Sequence, residues 1–201
     1  MKKLVTLCII ILPVILLTAA GCQQGPATFT SALELTTQKT TLEEASSIIG
    51  RTVPVPTYLP KDYKIQEVYI ALYPEKLTRS TVTLLISDEG IEEKKLITYT
   101  IRIGSRRTET RQRYEFQCKM KMTITWYEEG IPGGLKLPGE GVTIGETRGK
   151  ILDDRSDHNT LWWQPRPGPG QEGMFDIHLS ASKSIPKGEL VKVAKSVQYS
   201  K

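Results

Sequence analysis

The sequence predicts an α+β domain: an antiparallel, curved β-sheet with a short N-terminal helix and a C-terminal amphipathic helix packed on it. Three observations carry this expectation. Several runs between residues 65 and 180 are apolar and β-branched or alternate apolar and polar side chains with period two, as half-buried antiparallel strands do. The helical spacings stand out near 42–49 and 187–197, bracketing the strands. The chain shows no internal repeat that would point to a solenoid or propeller.

The chain opens with MKKLVTLCIIILPVILLTAAGCQQ. Lys2 and Lys3 form a positive n-region, and a predominantly apolar run from Leu4 to Leu17 follows. Ala19, Ala20 and Gly21 then stand directly before Cys22. This is the pattern of a secretory signal, and its end is similar to a bacterial lipobox, in which the cysteine is lipidated and becomes the mature N-terminus. Residues 1–21 are therefore expected to be a lipoprotein signal peptide. The alternative is an uncleaved membrane anchor, because the run with Thr18 to Gly21 approaches the roughly 20 residues that span a bilayer. The Gly-Cys junction favours lipidation, and two acyl chains on Cys22 would give stable attachment.

Residues 22–40 are rich in Gln, Thr, Ser and Ala and read as a flexible tether, leaving 41–201 as one domain. Thr41 and Glu44 have capping-box spacing, Leu42, Ala45, Ile48 and Ile49 share a helical face, and Gly50 suits a helix stop. That predicts a helix over about 42–49. The prolines at 54, 56 and 60 favour extended chain after it. Strands are expected over 65–72, 81–87 and 96–103. A long one is expected over 114–127, with Phe116, Cys118, Met120, Met122, Ile124 and Trp126 on a single face. Hairpins follow: 142–146 with 150–153 around Arg148-Gly149, and 161–164 with 174–180 across the loop 165–173, where six of nine residues are Pro or Gly. Near the end, Ser184 is the expected cap and Pro186 the first-turn residue of a helix. Its apolar face is Leu190, Val193, Ala194 and Val197.

Three segments together resemble the domain-of-unknown-function 4367 family. They are Val53-Pro-Val-Pro-Thr-Tyr-Leu-Pro-Lys-Asp-Tyr-Lys-Ile65, then Val142-Thr-Ile-Gly-Glu-Thr-Arg-Gly-Lys150 with Leu161-Trp-Trp163, then Glu189-Leu-Val-Lys-Val-Ala-Lys-Ser-Val197. The resemblance covers about residues 45–198. It implies an exported or membrane-anchored bacterial protein and carries no activity and no catalytic residue.

Loss of residues 1–21 removes Lys2 and Lys3 and no acid, so 27 basic residues become 25 against 22 acidic, a net charge near +3. So mild an excess gives no sign of a nucleic-acid partner. With Cys8 in the signal and Cys22 lipidated, Cys118 is the single remaining thiol and is expected to be a buried apolar side chain. His158 and His178 are the two histidines, with no Gly-x-Ser-x-Gly elbow. His178 shares a strand face with Asp176, expected to be the outer one. Asp153, Asp154, Asp157 and His158 form the densest ligand-like cluster, without EF-hand spacing, and read as a polar turn. No metal, cofactor or catalytic residue is expected. The candidate binding surface is Trp162 and Trp163, one read as core and the other as either exposed or covered by the loop or helix, with Arg106 and Arg107 in a basic hairpin end that also holds Arg102, Arg111 and Arg113.

These readings describe a non-enzymatic binding or sensing domain, lipid-anchored on the extracytoplasmic face of the cell membrane. Its partner would be an unidentified envelope protein or polymer. A rival reading is a lipid carrier holding an acyl chain against the long apolar face 116–126; a third is a cell-wall hydrolase. Changing Cys22→Ser should abolish incorporation of labelled fatty acid and detergent-phase partition. Unchanged labelling in that variant would refute lipidation at Cys22.

Overall fold

The computed structural model describes residues 28–34, 36–72, 79–103, 107–128, 138–152, 157–165 and 173–199. The signal segment with Cys22, Arg106, and Asp153 and Asp154 lie outside the described residues. The fold is α+β, with antiparallel sheets and two helices packed on the larger one.

Thr41 caps α1 (Leu42–Ile49) as a capping box: its hydroxyl accepts the Glu44 N–H, and the Glu44 carboxylate accepts the Thr41 N–H. Gly50 ends the helix at φ 67°, a left-handed conformation that glycine adopts at little cost. The second helix, α2 (Lys187–Lys195), differs from expectation at its start. Pro186 occupies the N-cap and no side chain caps the helix. Ser184 instead pairs with Ser182, hydroxyl to hydroxyl at 2.9 Å.

The segment expected to be a tether is structured from Phe29 onward. Residues β1 (Phe29–Glu34) and β2 (Thr37–Thr40) are strands. Thr30, Thr37 and Thr40 suit a pleated surface once a partner strand is present, and composition alone does not reveal that partner. The other strands are β3 (Val55–Pro56), β4 (Lys64–Leu72), β5 (Arg79–Ser87), β6 (Lys95–Ile103), β7 (Arg107–Cys118), β8 (Met120–Tyr127), β9 (Glu140–Ile144), β10 (Thr147–Leu152), β11 (His158–Trp163), β12 (Met174–Ser182) and β13 (Val197–Gln198). The β9–β10 turn lies at Gly145-Glu146 and not at Arg148-Gly149. Gly145 takes φ 56°, which a tight two-residue hairpin requires at its first position. Gly149 is held within β10 for a different reason: a Cβ there would meet the Trp162 carbonyl oxygen at 2.8 Å.

Eight strands form the large sheet in the order β2-β4-β5-β8-β12-β11-β10-β9. A smaller sheet has the order β1-β7-β6, and β3 pairs with β13. The stretch expected to be one strand over 114–127 breaks at Lys119, where the chain passes from the small sheet to the large one. Phe116 and Cys118 therefore pack in a minor core with Phe29, Leu33, Tyr69 and Leu85. Met120, Met122 and Ile124 enter the main core beneath the helices.

Strand register sorts the large sheet into two faces. On one, Val82, Leu84, Met122, Ile124, Ile177, Leu179, Leu161 and Trp163 meet Ala45 of α1 and Leu190, Val193 and Ala194 of α2. The other face carries Thr81, Thr83, Lys121, Thr123, Thr125, Asp176, His178 and Ser180, and the small sheet covers part of it. The β3–β13 pair pins the end of α2, where the Ser196 carbonyl accepts the Thr57 N–H at 3.2 Å, and the Tyr58 hydroxyl donates to Glu189 in the first turn of the same helix at 2.7 Å.

Leu190 is fully buried. Leu190→Ala should cost on the order of 2–5 kcal/mol, the lost transfer energy plus a cavity term. A urea titration giving under about 0.5 kcal/mol would show that α2 does not hold the core.

Candidate functional site

Where the small sheet stops, a cleft of about 630 Å³ opens on the polar face of the large sheet. Its floor is the outward side of three adjacent strands: Lys121, Thr123 and Thr125 of β8, Asp176, His178 and Ser180 of β12, and His158 and Thr160 of β11. One wall is β1 from Phe29 to Ala32, with Arg113 and Glu115 of β7 behind it. Arg79 of β5 and Leu152 of β10 also line the space.

Each carboxylate of the cleft has a defined partner. Asp176 is 6% exposed. Its carboxylate accepts hydrogen bonds from the Trp162 indole N–H, from Gln164 Nε2 at 3.2 Å and from His178 Nε2 at 3.1 Å. Burial alone would raise the Asp176 pKa, but the bonds from His178, Trp162 and Gln164 outweigh it and hold the group below the ordinary carboxylate value. His178 is thereby held by one ring nitrogen while its ring lines the cleft. Asp157 makes a second pair, with His158 Nδ1 at 2.8 Å. Desolvation pushes Asp157 up, and the His158 contact brings it below the ordinary value. The His158 ring stacks on Phe29 with centroids 4.7 Å apart, joining β1 to β11. Glu115 is paired to Arg113. Among the hydroxyls, Thr160 pairs with Ser180 at 2.9 Å and Thr81 with Thr125 at 3.2 Å.

The structure does not expose the tryptophans. Trp162 is 8% exposed and Trp163 fully buried, the latter donating its indole N–H to the Tyr199 hydroxyl at 2.7 Å. Adjacent strand residues do face opposite ways, but both sides of this sheet are covered here, so neither side chain offers an open platform. Of the basic hairpin, Arg107 lies at the start of β7, Arg111 pairs with Glu109 at 3.2 Å, and Arg113 stacks on Tyr99 at 4.6 Å. Cys118 is 2% exposed, and burial pushes its thiol up to about 12, which leaves no thiolate for nucleophilic work. Among the described residues, no three His, Cys, Asp or Glu side chains converge as metal ligands. No helix among them is long and apolar enough to cross a membrane.

Asp176 with His178 lies on the face opposite the helices, as the alternation predicts, yet it is the floor of a cleft and not open surface. The sequence carries a sign of this. A solvent face is usually lengthened by Lys and Glu, whereas β5, β8 and β12 read Thr-x-Thr, Lys-x-Thr-x-Thr and Asp-x-His-x-Ser at the polar positions. Short hydroxyls there fit a covered polar surface.

No family model, curated protein or solved structure matches this chain. The resemblance noted above therefore rests on the quoted segments alone.

Removing the Asp176 carboxylate leaves the buried Trp162 and Gln164 donors unpaired, so Asp176→Ala should cost about 2–4 kcal/mol at pH 7. The wild-type contribution is fully present above the carboxylate's unfolded value, near 3.8. It is lost as pH falls through the lower folded-state value. The stability gap between wild type and variant should therefore close on acidification, measured by denaturation at pH 7 and below pH 3.

Proposed function

We propose that this chain is a lipid-anchored, non-enzymatic binding domain on the extracytoplasmic side of a bacterial cell membrane, and that the cleft over β8, β11 and β12 is its binding site. The observation that carries the site is a half-buried polar floor, with Thr123 and His178 at its centre, beside an otherwise close-packed domain. Concave sites with a few convergent polar groups are where small ligands and peptide segments are held. The address rests on the Ala-Ala-Gly-Cys junction at residues 19–22.

The acyl-carrier reading loses its motive. It needs the apolar side of β8 to face a chamber, and Met120, Met122 and Ile124 are instead packed with Leu179, Leu190 and Val193. The cleft is lined by hydroxyls and charged pairs, which solvate an acyl chain poorly.

The test is thermal stabilisation of residues 23–201 by soluble envelope components: peptides, muropeptides, wall-polymer fragments and lipids. At least one polar class should raise the melting temperature of the wild type. It should leave Thr123→Trp, which fills the cleft, unmoved. Equal stabilisation of both proteins would place the site elsewhere. Turnover of any component, lost in His178→Ala, would make the protein an enzyme.

A further inference from the structure

The long strand β6 stands at an edge. In the order β1-β7-β6 it pairs with β7, and no described strand lies on its other side. The other outer strands of the two larger sheets are short: β2 has four residues, β9 five and β1 six. Short edges are one way a sheet avoids pairing with another chain. By contrast β6 runs for nine residues, Lys95–Ile103, in unbroken register with β7. From Leu96 to Ile101 it holds no charge, no proline and no bulge, the devices that blunt a long edge.

This edge also reaches past the body of the domain. Strand β1 pairs with β7 only as far as Arg113, whose partner in β6 is Ile97. From Thr98 and Gln112 outward, the small sheet is a ribbon of two strands. Thr98, Thr100, Thr110 and Gln112 are exposed on one face of that ribbon. On the other face Tyr99 leans back over β7 and β1. Its ring lies 4.6 Å from the Arg113 guanidinium, and its hydroxyl donates to Glu34 at 3.3 Å. A two-stranded ribbon is marginal alone and gains from further strands.

The strand's own sequence says what fits there. Ile97-Thr98-Tyr99-Thr100-Ile101 reads identically in both directions. A second copy, antiparallel and related by a two-fold axis at Tyr99, sets Ile97 opposite Ile101, Thr98 opposite Thr100 and Tyr99 opposite Tyr99. Pairs of β-branched and aromatic residues and of threonines are the ones that stabilise antiparallel ladders. Arg102 falls opposite Leu96 and Lys95 opposite Ile103, so like charges do not meet. A slip of one residue sets Lys95 against Arg102 and turns the threonine face of one copy to the opposite side of the other. The pairing holds whichever residues of β6 turn their backbone groups outward. In an antiparallel strand they are those of one parity. The two-fold register matches odd positions with odd and even with even, so both copies present the same set.

We propose that β6 is a self-association edge, through which two copies of this chain join their small sheets into one antiparallel sheet of six strands in the order β1-β7-β6-β6-β7-β1. Each copy has one such edge, so the two-fold pair closes on itself. The contact is small. A strand of this length offers a strip about 30 Å long and about 10 Å thick on each copy. That is less than the roughly 1,200 Å² at which standard interfaces begin. The pair is therefore reversible, with a dissociation constant between about 1 μM and 1 mM.

Sedimentation equilibrium of residues 23–201 reads the association directly, and the wild type should dimerise within that range. Thr98→Lys combined with Thr100→Lys sets like charges opposite each other at two places and should weaken the dimer about tenfold or more. Thr98→Lys combined with Thr100→Glu sets opposite charges at the same places and should restore wild-type strength or exceed it. Both positions are exposed, so the melting temperature of each variant should stay near that of the wild type. Introduced cysteines then read the register, because the native Cys118 is buried and does not compete. Under mild oxidation Tyr99→Cys should give a disulfide dimer, since residues directly opposite have Cα atoms about 4.5–5.5 Å apart. Thr98→Cys alone should not, its two copies standing about 8 Å apart. Mixed with Thr100→Cys it should. A wild type that stays monomeric at about 1 mM overturns the proposal. So does equal dimerisation of the Lys/Lys and Lys/Glu variants, or a disulfide formed as readily by Thr98→Cys as by Tyr99→Cys, since either places the contact elsewhere.

Discussion

The passage of the chain through Lys119 sets the terms for the rest of the molecule. Cys118 ends a strand of the small sheet and Met120 begins one at the centre of the large sheet. The crossing residue is tied on both sides. Its carbonyl accepts the Ser182 N–H at 2.9 Å, and its ammonium group meets the Asp88 carboxylate at 2.7 Å. Because the break falls between strands, side chains of one parity serve two different cores. Phe116 and Cys118 hold the small sheet down over Tyr69 and Leu85, while Met120 and Met122 seal the helix side. The complementary parity, Lys121, Thr123 and Thr125, is left facing the space that the small sheet only partly covers. The cleft is the geometric result of that incomplete overlap.

Electrostatic order in the cleft follows from the same layering. A carboxylate placed between two layers loses water and must be compensated. Asp176 is compensated by three side-chain donors, and Asp157 by His158. Glu67, near the minor core, is a third case. Burial works against its charge, yet Lys39, Lys94 and Tyr69 together hold it down to about 2. Glu67 thus acts as a fastener between strands, joining β2 and β4 to the segment before β6.

Local rules were legible where the energetics are local. The capping box of α1 is contained within four residues, so Thr41 and Glu44 sufficed to place it. The apolar stripe of α2 placed Leu190 and Val193 in the core, but its start was misread, because Ser184 found a partner in Ser182 outside the helix. Apolar, β-branched runs located β4 and β5, and period-two alternation located β6, β8 and the 114–118 end of β7, while 107–113 was read only as a basic hairpin end. Alternation could not report the break at Lys119, since it runs unchanged through a turn that moves the strand to another sheet. Nor could it tell an open polar face from a covered one. Asp176, Thr123 and Lys121 were accordingly not singled out as site residues, and the pair Trp162 and Trp163 was taken as a candidate surface. Strands β1 and β2 were hidden for a related reason: their partners, Arg113–Cys118 and Val68–Ala71, lie dozens of residues away.

The clasp between β3 and β13 has a bearing on the timing of folding. Val197 pairs with Pro56, and α2, immediately before it, closes the apolar side of the large sheet. At the centre of that sheet, β8 pairs with β12 across a long stretch of sequence. A growing chain therefore has no finished core until Val197 is free to pair, and contacts of such long range slow folding. While α2 and β13 are still held in the ribosome, the apolar side of the large sheet lacks the cover that Leu190, Val193 and Ala194 provide. Commitment comes in one late step, when α2 drops onto the sheet and β13 is stitched to β3.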